Sequence, residues 1–359
     1  VKGFSGQPVD GSQPYIVSAN PKRPLRLYTV KNNWSTTLKE EGIDGQWSEA
    51  SSEEVADFSA TAYFFGNLLQ QSLDVPVGLI HCSWSMSKIE AWMDKETLSH
   101  FSEVTLPDTN QDKFEWAAGT PTLLWNAMVN PWEGFPVKGV IWYQGEANTP
   151  DPTLYKKLFP AMVSQWRNFF HNAEMPFYYV QIAPHKYGNS RNINSALLQE
   201  AQMKALQTIP NSGMIPTIDV GDEFCIHPPQ KNVVGLRLAN LALTKTYGLH
   251  KFPSTGPMMT KVEYSKNKAI VTLDNAPSGL APGNCELEGF EIAGADKKFY
   301  PAKARIAGRT RNVEVWSDQV AQPVAVRYAF RNYVGNITLR NTLGIAAFPF
   351  RTDTWDDVK

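Results

Sequence analysis

Two side chains suited to catalysis directly follow the apolar run VIWY at 140–143. The amide of Gln144 could donate hydrogen bonds to a developing oxyanion. Glu146 could orient a base, anchor a loop or act as an acid, and paired with Glu90 it would suggest a glycosidase. Taken alone, Glu146 is better explained as a half-buried residue that supports a turn.

A second candidate is His227, at the end of the segment DVGDEFCIH. A neutral imidazole can take a proton from a hydroxyl, and a carboxylate such as that of Asp222 can hold the ring in the required tautomer. A solvated loop histidine beside solvated acids is an equally good interpretation of this segment alone.

A third candidate is the hydroxyl-rich segment SWSMSKIEAWM at 83–93. The G-x-S-x-G motif of a nucleophile turn is absent, so we expect Ser85 or Ser87 to cap a following helix while the backbone supplies N–H donors. His81, just before this segment, is more often a core histidine than a catalytic one.

Apolar runs and helical periodicity alternate along the first 250 residues. This alternation predicts an α/β fold with a parallel sheet flanked by helices, in which ligands bind beyond the carboxyl ends of the strands. The predicted strands are 26–31, 76–84, 138–145, 176–184 and 213–222, and the predicted helices are 52–73, 153–170, 195–209 and 231–248.

The pattern changes after Gly248, where short alternating segments are separated by turn residues. This pattern predicts a smaller antiparallel β module, and a boundary near 249–256. We therefore expect an α/β domain at 1–250 and a β-sandwich-like accessory module at 255–359.

The composition of the chain argues against several classes of function. The 359 residues carry a formal net charge of −1, which is not the profile of a nucleic-acid binder or a polybasic membrane patch. The three cysteines have no metal-ligand spacing, and no apolar run reaches the roughly 18 residues of a membrane span. The many Trp and Tyr residues are only a weak indication of a carbohydrate site.

Several segments together resemble the sialate O-acetylesterase family of serine esterases, which have an SGNH-hydrolase (flavodoxin-like) fold. The resemblance implies deacetylation of O-acetylated sugars, either sialic acids or plant polysaccharides, without a metal or organic cofactor. It also implies a periplasmic or secreted location. The segments occur in family order over nearly the whole chain: PVGLIHCSW, KIEAWM, LLWNAMVNP, KGVIWYQGEAN, MPFYYVQIAP, LLQEAQ, TIDVGD, IHPPQKNVVGLRLA and PFRTD.

The resemblance implies a role for each matched position. His227 matches the catalytic histidine, and Gln144 matches a position that lines the oxyanion site. Ser85 matches a glycine of the block S-W-G-G-T, whose backbone N–H is a second oxyanion donor. The residues expected to bind substrate or support the site are Glu146, Asn126 and Gln181.

The chain departs from the family pattern in this region. Ser85 and Met86 replace Gly-Gly, which adds side chains beside the site. Phe224 stands three residues before the histidine, where related proteins place an aspartate. Asp222, Glu223 or a backbone carbonyl could orient His227 instead, and Asp222 is our prediction.

The family's nucleophile motif, G-Q-S-N-M, does not occur in this sequence, and SGQPVDG at 5–11 lacks its serine and asparagine. We expect the nucleophile, the first core strand and a β module to lie ahead of residue 1 in the same protein, and residues 1–359 alone to be inactive. Two alternatives stay open. One is a non-catalytic carbohydrate-binding protein on a decayed esterase fold, and the other is a glycosidase using Glu146 and Glu90.

Overall fold

The computed structural model describes residues 1–4, 6–40, 44–188, 193–249 and 251–356. The chain forms two compact units. The first comprises Val1–Val180, Ala201–Met214 and Pro229–Leu249, and the second comprises Gln181–Glu200, Ile215–Pro228 and His250–Lys359. The domain limits expected from the sequence stay a prediction, and their boundary includes His250, which lies outside the described residues.

The helices and strands of the described residues follow the predicted alternation in the first part of the chain. The helices are α1 (Ser12–Val17), α2 (Ser52–Asp57), α3 (Ala60–Leu73), α4 (Lys95–Leu98), α5 (Pro152–Phe169), α6 (Asn194–Ala205) and α7 (Lys231–Lys245). The strands are β1 (Gly3–Phe4), β2 (Gln7–Pro8), β3 (Leu25–Thr29), β4 (Ser48–Glu49), β5 (Val77–His81), β6 (Val140–Trp142), β7 (Phe177–Val180), β8 (Ser212–Ile215), β9 (Met258–Tyr264), β10 (Ala269–Asp274), β11 (Leu280–Ala281), β12 (Phe290–Ala293), β13 (Phe299–Pro301), β14 (Lys303–Ile306), β15 (Asn312–Trp316), β16 (Ala325–Tyr328), β17 (Arg340–Asn341) and β18 (Phe350–Arg351). Short 3-10 helices at Ile89–Trp92, Ala117–Gly119, Asn130–Trp132 and Glu146–Asn148, and a π-helical segment at Trp125–Val129, complete the list.

Each strand that precedes a polar segment pairs in parallel with a neighbouring strand, as predicted. β5 pairs in parallel with β3, and β6 pairs in parallel with β7, which β8 follows in the same sheet. The α/β prediction with a parallel sheet is thus confirmed. In the described residues these strands form two three-stranded sheets rather than one, because β5 and β6 do not pair with each other.

The predicted single helix at 52–73 is wrong, because the chain breaks at Phe58. Phe58 adopts an extended conformation between α2 and α3. The side chain of Ser51 accepts from the backbone N–H of the first turn of α2, and Ser59 does the same for α3. Each serine satisfies an N–H that the helix itself leaves unpaired, so two caps allow two helices where the periodicity suggested one.

The second unit contains the antiparallel sheets predicted for the end of the chain. One sheet has the order β14-β15-β10-β9 and another the order β13-β12-β16-β18. Alternate residues of β10, β12, β15 and β16 belong to one hydrophobic cluster. A buried ion pair joins Arg327 of β16 to Asp353, with Nη2 and Oδ1 2.7 Å apart. The PFRTD segment is therefore anchored to the sheet.

Candidate active site

The polar cluster after β6 is a buried hydrogen-bond network. Both amide hydrogens of Gln144 are bonded inside the protein, because Nε2 lies 2.9 Å from Ser87 O and 2.8 Å from Asn148 Oδ1. Asn148 Nδ2 donates in turn to Glu90 Oε2 at 2.9 Å. Gln144 Oε1 is buried and accepts no hydrogen bond. Gln144 therefore joins the turn after β6 to the turn after β5.

The turn at 83–87 is also held by two other side chains. Trp116 Nε1 donates to Met86 O at 3.2 Å. His81 Nε2 lies 2.6 Å from Ser83 Oγ. The side chains of Gln144, Trp116 and His81 thus form hydrogen bonds with three oxygen atoms of the turn.

Within the described part of the chain, the backbone N–H groups of Ser85 and Met86 donate to no protein acceptor. Met86 has a φ of 59°, and its side chain is 73% exposed. A left-handed residue lets successive N–H groups point toward one anion. Glycine would adopt this conformation without the steric penalty that methionine incurs. The side chain of Met86 extends toward solvent.

His81 and Ser83 form the serine–histidine contact of the first unit. Burial lowers the pKa of His81, and its Nδ1 is buried without a partner. Burial thus favours the neutral ring, and among the described residues no group is bonded to Nδ1 to orient it, as a carboxylate would. The sequence predicts a core histidine at position 81, and the half-buried His81 ring lies edge-on to Phe58.

The predicted capping by Ser85 or Ser87 is wrong. The 3-10 helix Ile89–Trp92 has Lys88 at its N-cap and no side-chain cap from that residue. Instead Asn148 Oδ1 accepts from the backbone N–H of Ile89 at 2.9 Å. A residue 59 positions along the chain thus supplies the cap, which no local spacing can reveal.

The buried position of Glu90 excludes the glycosidase alternative. Glu90 is only 7% exposed, and its carboxylate is bonded to Asn148. An acid in that position cannot flank a sugar ring in an open cleft. Glu146 is half-buried, and burial raises the pKa of its carboxyl group while Lys231 partly opposes the rise.

Two residues expected to contact substrate or support the site are buried. Asn126 Nδ2 donates to Ser35 O at 3.0 Å, and the side chain belongs to the π-helical segment. Gln181, in the second unit, is 1% exposed and donates through Nε2 to Gln199 O at 3.1 Å. Both arrangements brace the backbone.

The loop that carries His227 lies in the second unit and leaves that residue exposed. Asp222 Oδ1 accepts from the backbone N–H groups of Phe224 and Cys225, each at 2.8 Å. Cys225 Sγ lies 3.6 Å from His227 O. Asp222 and His227 therefore share one loop, which Asp222 shapes.

Glu223, the other candidate acid, is engaged by a lysine of the same unit. Lys186 Nζ lies 2.8 Å from Glu223 Oε1, and this contact raises the pKa of Lys186. Phe224, where an aspartate stands in related proteins, is 85% exposed.

Among the described residues, no group of three or more His, Cys, Asp or Glu side chains is arranged to hold a metal ion. The helices of the same residues include none with the length and apolar character needed to cross a membrane.

Sequence reasoning missed the roles of Asn148 and Trp116. Asn148 belongs to the polar cluster that the sequence shows after β6. Its hydrogen bonds to Ile89 and Glu90, however, depend on a distant segment of the chain. Trp116 lies in a loop and contacts a backbone carbonyl, so residue type and spacing carry no signal for it.

Comparison with known proteins identifies similar chains. A family model described as carbohydrate esterase, sialic acid-specific acetylesterase, matches residues 3–244. The sialate O-acetylesterases of Pongo abelii and Homo sapiens are each 31% identical over 255 residues, covering 64% of this chain and 48% of theirs. A carbohydrate acetylesterase from Xanthomonas citri is similar over 97% of this chain and 77% of its own, with 37% identity and a TM-score of 0.87. The chain spans about half the length of the curated relatives it matches, from 48% to 55%.

Proposed function

We propose that this chain, which belongs to the carbohydrate esterase family of sialic acid-specific acetylesterases, takes part in removing acetyl groups from O-acetylated carbohydrates. The observation that carries the proposal is its 37% identity, over 97% of its length, to a carbohydrate acetylesterase. The substrate is either an acetylated sialic acid or an acetylated plant polysaccharide, and the fold is of the SGNH-hydrolase type.

The turn at 83–87 supplies the oxyanion donors of this proposal. Attack on the acetyl carbonyl places a negative charge on its oxygen, and the backbone N–H groups of Ser85 and Met86 are available to bond it. Each such donor is worth roughly 10²–10³ in rate. Gln144 holds the turn by binding Ser87 O. It can donate to the oxyanion directly only if one of its two internal bonds opens.

The rest of the mechanism follows the family resemblance. The serine of the family's nucleophile motif attacks the acetyl carbon, and His227 takes its proton. His227 then returns the proton to the leaving sugar oxygen, and water hydrolyses the acetyl-serine to acetate. We favour Asp222 over Glu223 as the residue that orients His227, because the Glu223 carboxylate is bound by Lys186. Glu146, Asn126 and Gln181 support the backbone around the site.

We also infer from the family resemblance that the protein acts outside the cytoplasm, in the periplasm or after secretion. The proposed partner is the acetylated sugar. The proposal requires no metal or organic cofactor.

The test is acetate release by the full-length protein from 9-O-acetylated N-acetylneuraminic acid and from acetylated xylo-oligosaccharides. We expect acetate from at least one of the two, with no new reducing ends. Reducing ends without acetate would indicate a glycosidase, and no acetate from either substrate would contradict the esterase.

A non-catalytic carbohydrate-binding protein is the second candidate. It is favoured by one observation, the internal bonding of both Gln144 donors. It predicts that the full-length protein binds the deacetylated and the acetylated sugar equally well and leaves the acetate ester intact.

A further inference from the structure

We propose that a cavity of the first unit, at the amino end of β3, binds a small carboxylate with a short apolar body. The cavity has a volume of about 140 Å³ and is lined by residues of α1, β3 and α3 and of the segments that precede β3 and α2. The turn at 83–87 follows β5, which runs parallel to β3, so it lies at the opposite end of that sheet. The inference therefore goes beyond the proposed function and concerns a different site.

Arg23 gives the cavity a positive charge. Its Nη1 donates to Asn67 Oδ1 at 3.4 Å, and its backbone N–H donates to Asn20 O at 3.1 Å, which holds the residue in a turn. Among the described residues, no carboxylate forms an ion pair with Arg23, and no aspartate or glutamate lines the cavity. A guanidinium carries several N–H donors, so most of those of Arg23 are open to a ligand in the cavity.

Tyr63 lines the cavity with a buried side chain. The residue is only 4% exposed, and within the described part of the chain its hydroxyl has no hydrogen-bond partner. Burial raises the pKa of Tyr63 while the charge of Arg23 partly opposes the rise, so the hydroxyl keeps its proton and lies within electrostatic reach of the guanidinium. An acceptor atom in the cavity would supply the partner that this hydroxyl lacks.

Tyr15 contributes a second hydroxyl to the same cavity. Its ring is held edge-on against Phe64, with the ring centroids 4.8 Å apart. The described residues offer this hydroxyl no hydrogen-bond partner either. A carboxylate matches such a set of donors, because its planar pair of oxygen atoms can bind a guanidinium and accept from hydroxyl groups at the same time.

The remaining lining of the cavity is apolar. Leu25 and Ala50 are 2% and 3% exposed, and both contribute to the wall. A short hydrocarbon chain would bury this surface, whereas a bare oxyanion such as phosphate would leave it unfilled. An apolar cavity of about 150 Å³ accommodates benzene, so this cavity fits a ligand of about six non-hydrogen atoms, which is the size of butyrate.

The experiment is a ligand-observed nuclear magnetic resonance titration of the full-length protein with butyrate, butyramide and inorganic phosphate. Butyramide has the shape of butyrate without its charge, and phosphate has a charge without an apolar body. We expect butyrate to bind about tenfold or more tightly than either of the others. Equal affinity for butyrate and butyramide, or for butyrate and phosphate, would overturn the proposal, as would the absence of butyrate binding.

Variants of two adjacent basic residues assign the binding to this cavity. Arg23→Met should weaken butyrate binding by about tenfold or more and leave butyramide binding unchanged. Lys22→Met removes the charge of the exposed neighbour, which does not line the cavity, and should change butyrate binding by less than about twofold. Butyrate affinity that survives Arg23→Met, or that falls equally in both variants, would contradict the assigned site.

Tyr63→Phe keeps the buried ring and removes only the hydroxyl, so it tests the site without opening a hole in the core. We expect it to weaken butyrate binding by about threefold to tenfold, and unchanged affinity would contradict the role of the hydroxyl. Because none of the three ligands is an ester, these outcomes are independent of whether acetate is released. Arg23→Met should also leave the rate of acetate release within about twofold of the parent.

Discussion

At the scale of single residues, the buried part of the site depends on Asn148 more than on the groups that the sequence makes conspicuous. Its Oδ1 accepts from Gln144 Nε2 and from the backbone N–H of Ile89, and its Nδ2 donates to Glu90. One amide thus caps a short helix, positions a second amide and binds a buried carboxylate.

Replacing Asn148 by alanine should therefore destabilise the protein. The change leaves the Glu90 carboxylate, the Ile89 N–H and one Gln144 N–H buried without partners, and each lost partner costs about 1–3 kcal/mol before relaxation. We expect the free energy of unfolding in urea to fall by about 2–4 kcal/mol. The exposed Asn110→Ala should change it by less than about 0.5 kcal/mol. Equal losses in the two variants would show that the network contributes nothing.

The raised pKa of Glu146 predicts that the stability of the protein depends on pH. Burial raises the pKa of its carboxyl group, so the folded chain keeps this proton to a higher pH than the unfolded chain does. The associated stability is fully present below the unfolded pKa and is lost as the pH rises through the raised folded pKa.

The Glu146→Gln variant cannot lose that proton. Urea unfolding should find it equal in stability to the parent at about pH 4 and more stable at about pH 7. The exposed Glu115→Gln should show no such divergence. A stability difference for Glu146→Gln that does not grow with pH would contradict the assigned cause.

At the scale of elements, the site is made of turns that follow parallel strands. The turn after β5 presents N–H groups, and the turn after β6 supplies the side chains that hold it. These strands belong to two different sheets, and the hydrogen bond from Gln144 Nε2 to Ser87 O joins the two turns. The 3-10 helix Ile89–Trp92, which follows the first of these turns, is capped by the distant Asn148.

The break between α2 and α3 gives a test at this scale. Ser59 Oγ accepts from the backbone N–H of Ala62 and begins α3, so Ser59→Ala should lower the free energy of unfolding by about 1 kcal/mol. Gln230, at the N-cap of α7, makes no side-chain cap bond, and Gln230→Ala should have almost no effect. A similar cost for both variants would show that the Ser59 bond does not stabilise α3.

Much of the secondary structure could be predicted from the sequence. The periodicity of 153–170 predicts α5, since a helical stripe of buried side chains is a local property. The break at Phe58 was missed because the apolar spacing continues through it. The sequence features that mark the two helix starts are the capping residues Ser51 and Ser59. The network of Asn148 and the anchor of Trp116 were missed for a different reason. Partners such as the Glu90 carboxylate and the Met86 carbonyl lie far away in the sequence and are brought near by the fold, and residue type does not specify those pairs.

At the scale of the whole molecule, family membership and local geometry support the same chemistry by separate routes. Similarity to a carbohydrate acetylesterase extends over 97% of the chain. In the described residues, the N–H groups of Ser85 and Met86 in the turn at 83–87 donate to no protein acceptor, as the proposed oxyanion donors require. The exposed Met86 adds its side chain to the surface beside these N–H groups.

The most direct test of the central claim is acetate release by the full-length protein with His227 replaced by alanine. We predict that kcat/KM for an O-acetylated sugar falls by about 10³ or more, since the general base is lost. His100→Ala, which alters an exposed histidine, should stay within about twofold of the parent. A His227→Ala variant that is folded and retains kcat/KM within about tenfold of the parent would contradict the esterase mechanism.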